Sequence, residues 1–529
     1  MQKRTASLLC AVLAISIIVG GCDRAAARLR HLAPSNDETR TFMRDIGSIE
    51  FGGMDYTPWD VDDVAANVGT RDIKPYTIMI YMNGSDLESE HGEATKDIKE
   101  MLSSGVDTEL YNIIIFTGGT YRWQNNTIPS DECAVWRLTQ NGLEKIAGIG
   151  LWDMGNAGTL SSFIRFGMQC FPADKFGLIL WDHGGGAIAG YGHDELWGKS
   201  SLSLLELDYA FNQAGLAANP LEFIGFDACL MATVEMAVIA SQYARYFTAS
   251  QDLEPGDGWD YVFLQALNAN PGIDGAELGR VIADTYMDFY GPGSVENLTM
   301  SVTDLTRVKN VMGEMGTLMN RGMVSLAADR ARSMPPIARR RQRTKTFGMG
   351  SRRDNDSDMV DIADMARRLR DIFPEEAARV QTAVSKAVIY NRHNSLTNIG
   401  GLAAYYIFGG KDNAENMLGV YSSLNMSAEY TEFLKTFAGL LDDAHQTDPD
   451  GMWAIVEGEH VYMYKVGEND CAAEYAVPVT VNGETADLII TFCGYAPRGM
   501  IRGYRKCNGY MKPKGLSELS DVDVIEFQL

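Results

Sequence analysis

The segment FGLILWDHGGG, residues 176–186, is the clearest indicator of the fold. Its first six residues form an apolar run, which is typical of a strand buried on both faces of a parallel sheet. The run ends abruptly in Asp182, His183 and three glycines, and nothing in strand packing requires that ending. The stretch is therefore either a tight turn that contains a histidine or one half of an active site.

Similar apolar runs recur on both sides of this stretch. They are YTIMIYM (76–82), YNIIIFT (111–117), LEFIGFD (221–227), YFTAS (246–250) and LTMSVTDL (298–305). Amphipathic or polar helical stretches separate several of them. This alternation predicts an α/β fold, an α/β/α sandwich with a mostly parallel central sheet.

Other segments have their own patterns. CAVWRL and GLEKIAGI are typical of an inserted hairpin, DMVDIADMARRLRDIF (358–373) of an amphipathic helix, and GGLAAYYIF (400–408) of a further strand. From about residue 450, apolar and polar residues alternate around a turn at Asn482-Gly483. That pattern predicts a small antiparallel β-domain over 450–529.

The N-terminal sequence has the pattern of a targeting signal. Lys3 and Arg4 precede an apolar run over 8–19 that is short for a membrane span, and the run leads into VGGC, which ends at Cys22. VGGC resembles a bacterial lipobox, so residues 1–22 are predicted to be a lipoprotein signal peptide and Cys22 the lipidated residue, for example by palmitate. Residues 23–70 would tether the protein to the cell envelope, at the periplasmic face of the outer membrane or the cell surface. The alternative is an ordinary signal peptide cut nearby.

The composition is that of a folded protein with an acidic surface. The chain has 529 residues, 46% of them hydrophobic and 22% charged, and a formal net charge of −24. That charge argues against nucleic-acid binding and favours attraction of basic substrates. Eight cysteines are too few for a disulfide scaffold, and whether Cys471, Cys493 and Cys507 include a disulfide is left open.

The strand ends hold the candidate chemistry, because functional residues of parallel sheets collect at the carboxyl ends of the strands. Cys229 follows the strand LEFIGFD as His183 follows FGLILWD, 229 − 183 = 46 residues earlier. The two side chains would form a nucleophile pair, with the thiolate of Cys229 favoured by a helix predicted to begin directly after it. Gly184 and the backbone N–H of Cys229 are the candidate oxyanion donors. The alternative is a structural histidine and a small buried cysteine.

Competing motifs fail on inspection. HGGG occurs in lipases, but the chain has no G-x-S-x-G elbow. GHDELWGKS (192–200) has one residue too many for a P-loop, and the calcium-like stretch from Asp354 has Met359 where a glycine is needed. No Cys/His spacing indicates structural zinc, so no metal ligand is predicted.

LILWDHGGG, GFDACLMATVEMA and EPGDGWDY together resemble the clostripain family of cysteine peptidases, and the resemblance extends from about residue 74 to 410. It implies a caspase-like fold, a peptidase domain over 71–440, and His183 and Cys229 as the catalytic pair. It also implies cleavage after arginine or lysine, with Asp227 and Asp257 as the acids that bind the basic side chain. Their structural alternatives are a helix cap for Asp227 and a turn role for Asp257.

The resemblance also implies activation by self-cleavage between the two motifs, where Lys199 lies, with the basic loop 339–353 as a second candidate region. The chemistry requires no cofactor, and calcium enters only through the resemblance. The predicted function is a cysteine endopeptidase that acts on proteins or peptides containing Arg or Lys and contacts the membrane through its lipid. The alternatives are a non-catalytic surface binding module on the same fold and a thiol transpeptidase or ligase.

Overall fold

The computed structural model describes residue 56, residues 58–447 apart from 292, 294, 296, 329–332, 334–335, 338–339, 342, 349–357 and 408–410, and residues 452–456, 459–469, 472–481, 484–493, 508–514 and 525–528. The predicted leader with Cys22 and most of the predicted tether lie outside the described residues. So do Cys471, Cys507, and the predicted turn at Asn482-Gly483. Among the described residues, no helix combines the length and the apolar character needed to cross a membrane.

Twenty strands are described. They are β1 (Lys74–Asn83), β2 (Asn112–Gly118), β3 (Cys133–Thr139), β4 (Gly142–Gly150), β5 (Ala173–Trp181), β6 (Gly184–Gly185), β7 (Gly190–Asp194), β8 (Ser200–Leu202), β9 (Leu221–Asp227), β10 (Ala244–Ala249), β11 (Thr299–Asp304), β12 (Met359–Asp361), β13 (Val388–His393), β14 (Ala403–Tyr405), β15 (Met452–Val456), β16 (Glu459–Asn469), β17 (Ala472–Val481), β18 (Glu484–Cys493), β19 (Asn508–Lys514) and β20 (Ile525–Gln528).

The described helices lie between these strands. They are α1 (Val61–Val68), α2 (Ser85–Ser89), α3 (Glu93–Ser103), α4 (Ala157–Cys170), α5 (Gly186–Ala189), α6 (Leu204–Gln213), α7 (Val234–Ala240), α8 (Ala266–Ala269), α9 (Gly275–Tyr290), α10 (Val308–Ala328), α11 (Ile362–Leu369), α12 (Pro374–Ala387), α13 (Lys411–Ser423) and α14 (Ala428–Thr447).

Nine strands form the central sheet, in the order β13-β11-β10-β9-β5-β1-β2-β3-β4. The five inner strands from β10 to β2 are parallel, and antiparallel pairs flank them on both edges. The predicted hairpin is the β3–β4 edge. The mixed α/β architecture with a mostly parallel sheet confirms the predicted fold class.

The inner strands are mostly apolar because helices cover both faces of the sheet. In β2, Ile113 and Ile115 belong to a buried cluster that also contains residues of α3 and α9. Phe116 lies on the opposite face, where its ring stacks on Phe163 of α4 with the centroids 5.2 Å apart. This double burial leaves the ends of the strands as the surface on which polar chemistry can be placed.

Two local predictions need correction. The segment 358–373 was expected to be one helix, but its first residues form β12, and α11 begins only at Ile362, where the side chain of Asp361 caps it. The strand predicted over 400–408 is only β14, and it pairs with β12 in a two-stranded sheet outside the central one. An Asp that accepts a backbone N–H stabilises a helix start at that point, so the periodicity of the earlier residues is overridden.

The described chain divides into two compact units. One contains residues up to 333 and 344–435, and with them the central sheet; the other contains residues 334–343 and those from 436 onwards. In the second unit, β15 to β20 form a six-stranded antiparallel sheet in sequential order. The boundaries predicted from the sequence, 71–440 and 450–529, stay a prediction.

Candidate active site

The carboxyl ends of β5 and β9 create the site. These strands are parallel neighbours, and Trp181 of β5 lies opposite Asp227 of β9. His183 and Cys229 each follow two residues later, so they occupy equivalent positions on adjacent strands. Both side chains line one pocket, together with Leu87, Trp181, Asp182, Asp227, Ala228, Glu254, Pro255, Gly256 and Gly258.

Gly184 is packed directly against the backbone of Cys229. A Cβ atom at position 184 would lie 2.0 Å from the Cys229 carbonyl oxygen and 3.0 Å from its nitrogen. No side chain fits there without moving the backbone of the loop that carries the thiol. Only glycine therefore fits at position 184 beside the Cys229 backbone.

The thiol of Cys229 is held by the backbone of Glu254. The Glu254 N–H donates to Sγ at 3.2 Å, and the thiol lies 3.6 Å from the Glu254 carbonyl oxygen. Burial, followed by the negative charge of Glu254, raises the pKa of the Cys229 thiol to about 12. In this arrangement the sulfur is a neutral thiol.

The expected helix N-terminus at Cys229 is wrong. Helix α7 begins at Val234 and is capped by Thr233, while Leu230 has a left-handed φ of 66° and forms part of an intervening loop. The helix dipole acts within the first turn, so it does not reach a sulfur that lies in the loop ahead of it. The helix therefore does not lower the pKa of the Cys229 thiol as predicted, and the pKa is raised instead.

His183 is oriented by a carboxylate that the sequence did not identify. Its Nε2 atom lies 2.7 Å from Oδ1 of Asp86, which is in α2 directly after β1. Burial raises the pKa of Asp86, but the hydrogen bond and the charge of His183 outweigh it, aided by His193, and the pKa lies well below its usual range. Asp86 is therefore an ionised partner for the imidazole.

A second histidine lies beside the first. His193 is on β7, and its ring centroid is 5.7 Å from that of His183. The backbone between them is fixed, because the Gly192 N–H donates to the His183 carbonyl oxygen and the His193 N–H donates to the Asp182 carboxylate. Asp182 also accepts from the amide of Asn83, and burial raises its pKa to about 7.

Besides Asp182, two further acids line the pocket. Asp227 accepts hydrogen bonds from the Tyr261 hydroxyl at 2.9 Å and the Trp259 N–H at 3.1 Å, and burial raises its pKa to about 7. Glu254 is only 5% exposed, and its carboxyl group interacts with the side chains of Asp227 and Trp259. Burial and the charge of Asp227 raise the pKa of Glu254 well above its usual range.

The remaining predicted residues lie outside this pocket. Asp257 does not line it; its carboxylate is 3.3 Å from Nζ of Lys96, which also pairs with Glu93. Lys199 is exposed, with a left-handed φ of 67°, in a turn before β8. The structure therefore brings together His183, Cys229, Gly184 and Asp227 but not Asp257 or Lys199.

Sequence reasoning missed Asp86, His193 and Glu254. Asp86 and Glu254 stand in NGSD and QDLEPGDGW, two segments that follow sheet strands, so the signal for them was their position at the same sheet edge. His193 lies in a small strand that no apolar run marks. Its place becomes visible only once β6 and β7 pair through Gly184 and Tyr191.

Comparisons with known proteins agree with this architecture. The model of the clostripain family matches residues 80–441. A secreted C11 cysteine protease from Bacteroides thetaiotaomicron, solved with an irreversible peptide inhibitor, is similar in structure with a TM-score of 0.50 and 16% identity over 66% of this chain and 99% of that chain. An inactive zymogen C11 protease from Parabacteroides distasonis gives a TM-score of 0.52 and 19% identity over 68% of this chain and 99% of that chain.

A search of curated proteins gave no match. At these low identities the structural similarity supports the fold, and the match to the family model, which extends over most of the central-sheet unit, supports the classification. On that basis the chain belongs to the clostripain family of cysteine peptidases.

Proposed function

We propose that the protein is an endopeptidase that cleaves after arginine or lysine, with Cys229 as nucleophile and His183 as general base and acid. The observation that carries this proposal is the pairing of β5 and β9, whose carboxyl ends lead to a thiol, an imidazole and the carboxyl group of Asp227 at one pocket, which Glu254 also lines. A thiol and an imidazole at one pocket can perform acyl transfer. The two acids give the pocket a preference for a cation.

The chemical steps use the groups around the thiol. His183 takes the proton of Cys229 as the sulfur attacks the scissile carbonyl carbon, and the imidazolium then protonates the leaving amine, so that a thioester remains. Water, deprotonated by His183, attacks the thioester carbonyl carbon; the C–S bond breaks, the acid product leaves, and the imidazolium returns its proton to the sulfur of Cys229. The N–H groups of Gly184 and Cys229 are the proposed donors to the oxyanion.

The resting thiol must be released before it reacts. It is held by the backbone of Glu254 and has a high pKa, so a substrate has to displace this contact or shift the segment around Glu254. A cation bound beside Glu254 reduces the negative charge that raises the pKa of the thiol. Binding of a basic side chain would therefore also favour formation of the thiolate.

Specificity for a basic side chain follows from the two buried acids. The charge of Asp227 disfavours ionisation of Glu254, and both carboxyl groups are buried in the pocket lining. A guanidinium or an ammonium group would supply donors and opposite charge to both at once. Asp257, paired with Lys96 outside the lining, would act at most on more distant parts of the substrate.

Self-cleavage after Lys199 is part of this proposal. The residue is exposed and lies in a turn between His183 and Cys229 in the chain, and exposed turns are where proteolytic nicks concentrate. The second candidate region, 339–353, lies partly outside the described residues. No cofactor has a role in the proposed steps, and a calcium requirement stays a prediction from the resemblance.

One experiment tests the function. The purified wild type and Cys229→Ala are incubated with a peptide library, and the products are read by mass spectrometry. We expect cleavage after Arg or Lys and a nick after Lys199 in the wild type alone. Lys199→Ala should remove the nick and, because self-cleavage activates the enzyme in this proposal, lower cleavage of the library as well. Cys170→Ala, at a buried cysteine distant in sequence, is the control. Cleavage of the library by Cys229→Ala would refute the nucleophile assignment.

A further inference from the structure

Three metal-ligating side chains meet at the rim of the sheet. They are Asp86, His183 and His193, and one ligand atom from each lies within 4.8 Å of the other two. They come from three separate elements: α2, the end of β5 and the strand β7. No short spacing in the sequence encodes this set, since Asp86 precedes His183 by 97 residues.

The distances suit a small tetrahedral ion. Zinc binds His nitrogen and Asp oxygen at about 2.0–2.2 Å, so the ligand atoms of a tetrahedral zinc site are roughly 3.4 Å apart. Asp86 and His183 now lie 2.7 Å apart, and every pair of ligand atoms is within 4.8 Å. Side-chain movements of about an ångström or less would bring all three to the zinc geometry.

The backbone that carries the ligands is already fixed. Gly192 bonds to the His183 carbonyl at 3.0 Å, and Asp182 accepts from the backbone of His193 at 2.6 Å. Asp182 is in turn held by Asn83, so an outer layer of hydrogen bonds supports the two histidines. Such outer partners orient the ligands of protein metal sites. The site is open to solvent, because the His183 and Asp86 side chains are 12% and 28% exposed.

We propose that Asp86, His183 and His193 form an inhibitory Zn²⁺ site. Binding would form bonds from zinc to Nε2 of His183, to one ring nitrogen of His193 and to a carboxylate oxygen of Asp86. Water takes the fourth position. A neutral His183 moves its ring proton from Nε2 to Nδ1 on binding, whereas an imidazolium releases its Nε2 proton to solvent and keeps the one on Nδ1. Cys229 is not a ligand of this ion.

The inhibition itself rests on the proposed function. Once zinc occupies Nε2, the other nitrogen of the His183 ring carries the remaining proton, and no lone pair is left to accept the proton of Cys229. The ion also breaks the hydrogen bond through which Asp86 orients the ring. Zinc would therefore stop the reaction at its first proton transfer without contacting the sulfur.

Binding is tested with the full-length Cys229→Ala protein, which cannot process itself, in a phosphine rather than a thiol reductant. Co²⁺, followed by its visible absorption, reports tetrahedral geometry, and Zn²⁺ competition gives the affinity. We expect tetrahedral Co²⁺ without a thiolate charge-transfer band. Adding His193→Gln should weaken Zn²⁺ binding by about tenfold or more, whereas adding His91→Gln, at an exposed histidine, should change it less than about twofold.

Equal affinity in the His193→Gln and His91→Gln proteins would overturn the site. If His193→Gln lowers the melting temperature sharply, Asp86→Asn decides by the same criterion. In the wild type, Zn²⁺ should inhibit peptide cleavage, and each variant is compared with its own zinc-free rate. An inhibition midpoint unchanged by Asp86→Asn would overturn the regulatory role. Absence of any peptidase activity would refute the proposed function, while the binding result would stand independently.

Discussion

At the scale of single residues, Asp86 determines how the proposed general base is presented. Its carboxylate accepts from His183 Nε2 and lies in the first turn after β1. A carboxylate partner fixes the tautomer and orientation of an imidazole and stabilises the imidazolium. Asp86 therefore acts through His183 and is a positioning residue.

We predict that Asp86→Asn lowers kcat by about 10- to 100-fold with KM changed much less, because the imidazolium loses its counter-charge while substrate contacts remain. Steady-state kinetics on an arginyl peptide amide provides the measurement. Glu90→Gln, at an exposed acid shortly after Asp86, is the matched control and should retain the wild-type rate. A rise in KM with an unchanged kcat would instead assign Asp86 to substrate binding.

Asp227 links specificity to stability. Its pKa is raised to about 7, above its value in the unfolded chain, so the folded protein keeps a proton that the unfolded chain loses between about pH 4 and 7. The stabilising contribution of this group is present below about pH 4 and is lost as the pH rises through 7. At pH 8 the folded protein holds a buried negative charge.

We therefore predict that Asp227→Asn raises the melting temperature at pH 8 more than at pH 5, because it removes that charge only where the charge exists. The same variant should lower kcat/KM for arginyl substrates. Thermal unfolding at both pH values and kinetics at pH 8 check the two halves. A variant that is less stable at pH 8 and cleaves normally would show that the hydrogen bonds of Asp227 matter more than its charge.

The residues that sequence could identify are those at strand ends that apolar runs mark. His183 and Cys229 were proposed from the ends of their strands, whereas Asp227 was proposed only through the resemblance to the clostripain family. Glu254 and His193 were missed because the first is placed by an irregular loop and the second by a short strand of mixed composition. The helix expected to begin directly after Cys229 begins later, because the residue that caps it is Thr233, four residues further along the chain.

At the scale of elements, the contact between β6 and the loop after β9 couples the two halves of the site. Gly184 lies so close to the Cys229 carbonyl that only a hydrogen atom fits between them. The position of the thiol is therefore set partly by the strand that follows the histidine. The periodicity that revealed β5 and β9 carries no information on this contact, which arises from their pairing.

We predict that Gly184→Ala lowers kcat/KM by about 100-fold or more, because the added Cβ displaces the backbone that carries the thiol and the proposed oxyanion donors. Gly313→Ala is the control: it lies in the exposed interior of α10 with no atom within 4 Å of the new Cβ. That substitution should keep activity and stabilise the helix by about 0.5–1 kcal/mol. If Gly184→Ala kept wild-type activity, the steric requirement for glycine beside the Cys229 backbone would be wrong.

At the scale of the whole molecule, the predicted cellular location of the protein depends on the N-terminal segment, residues 1–22. The acidic chain, with a net charge of −24, belongs to a family of peptidases, and its leader resembles that of a lipoprotein. A single acyl chain gives only marginal membrane binding, so stable anchoring requires more than one chain at the modified cysteine. The predicted lipid anchor is therefore attached at Cys22, which lies outside the described residues.

We predict that Cys22→Ala abolishes incorporation of a fatty-acid label and moves the protein from the membrane to the soluble fraction of expressing bacteria. Cys10→Ala is the matched control, because that residue lies within the leader that processing would remove. Fractionation and mass spectrometry of the mature N-terminus check both variants. Membrane association that survives Cys22→Ala would point to an uncleaved leader in place of the lipid, and an unlabelled, soluble wild type would point to an ordinary signal peptide cut nearby.

The pairing of β5 with β9 also determines when the enzyme can first act. The imidazole and the thiol are 46 residues apart in the chain, and each follows a strand of the central sheet whose partners come from distant parts of the chain. Non-local parallel pairing is a late and slow event in folding. On the proposed function, a nascent or translocating chain is therefore silent as a protease, and its first cleavage marks the completion of folding.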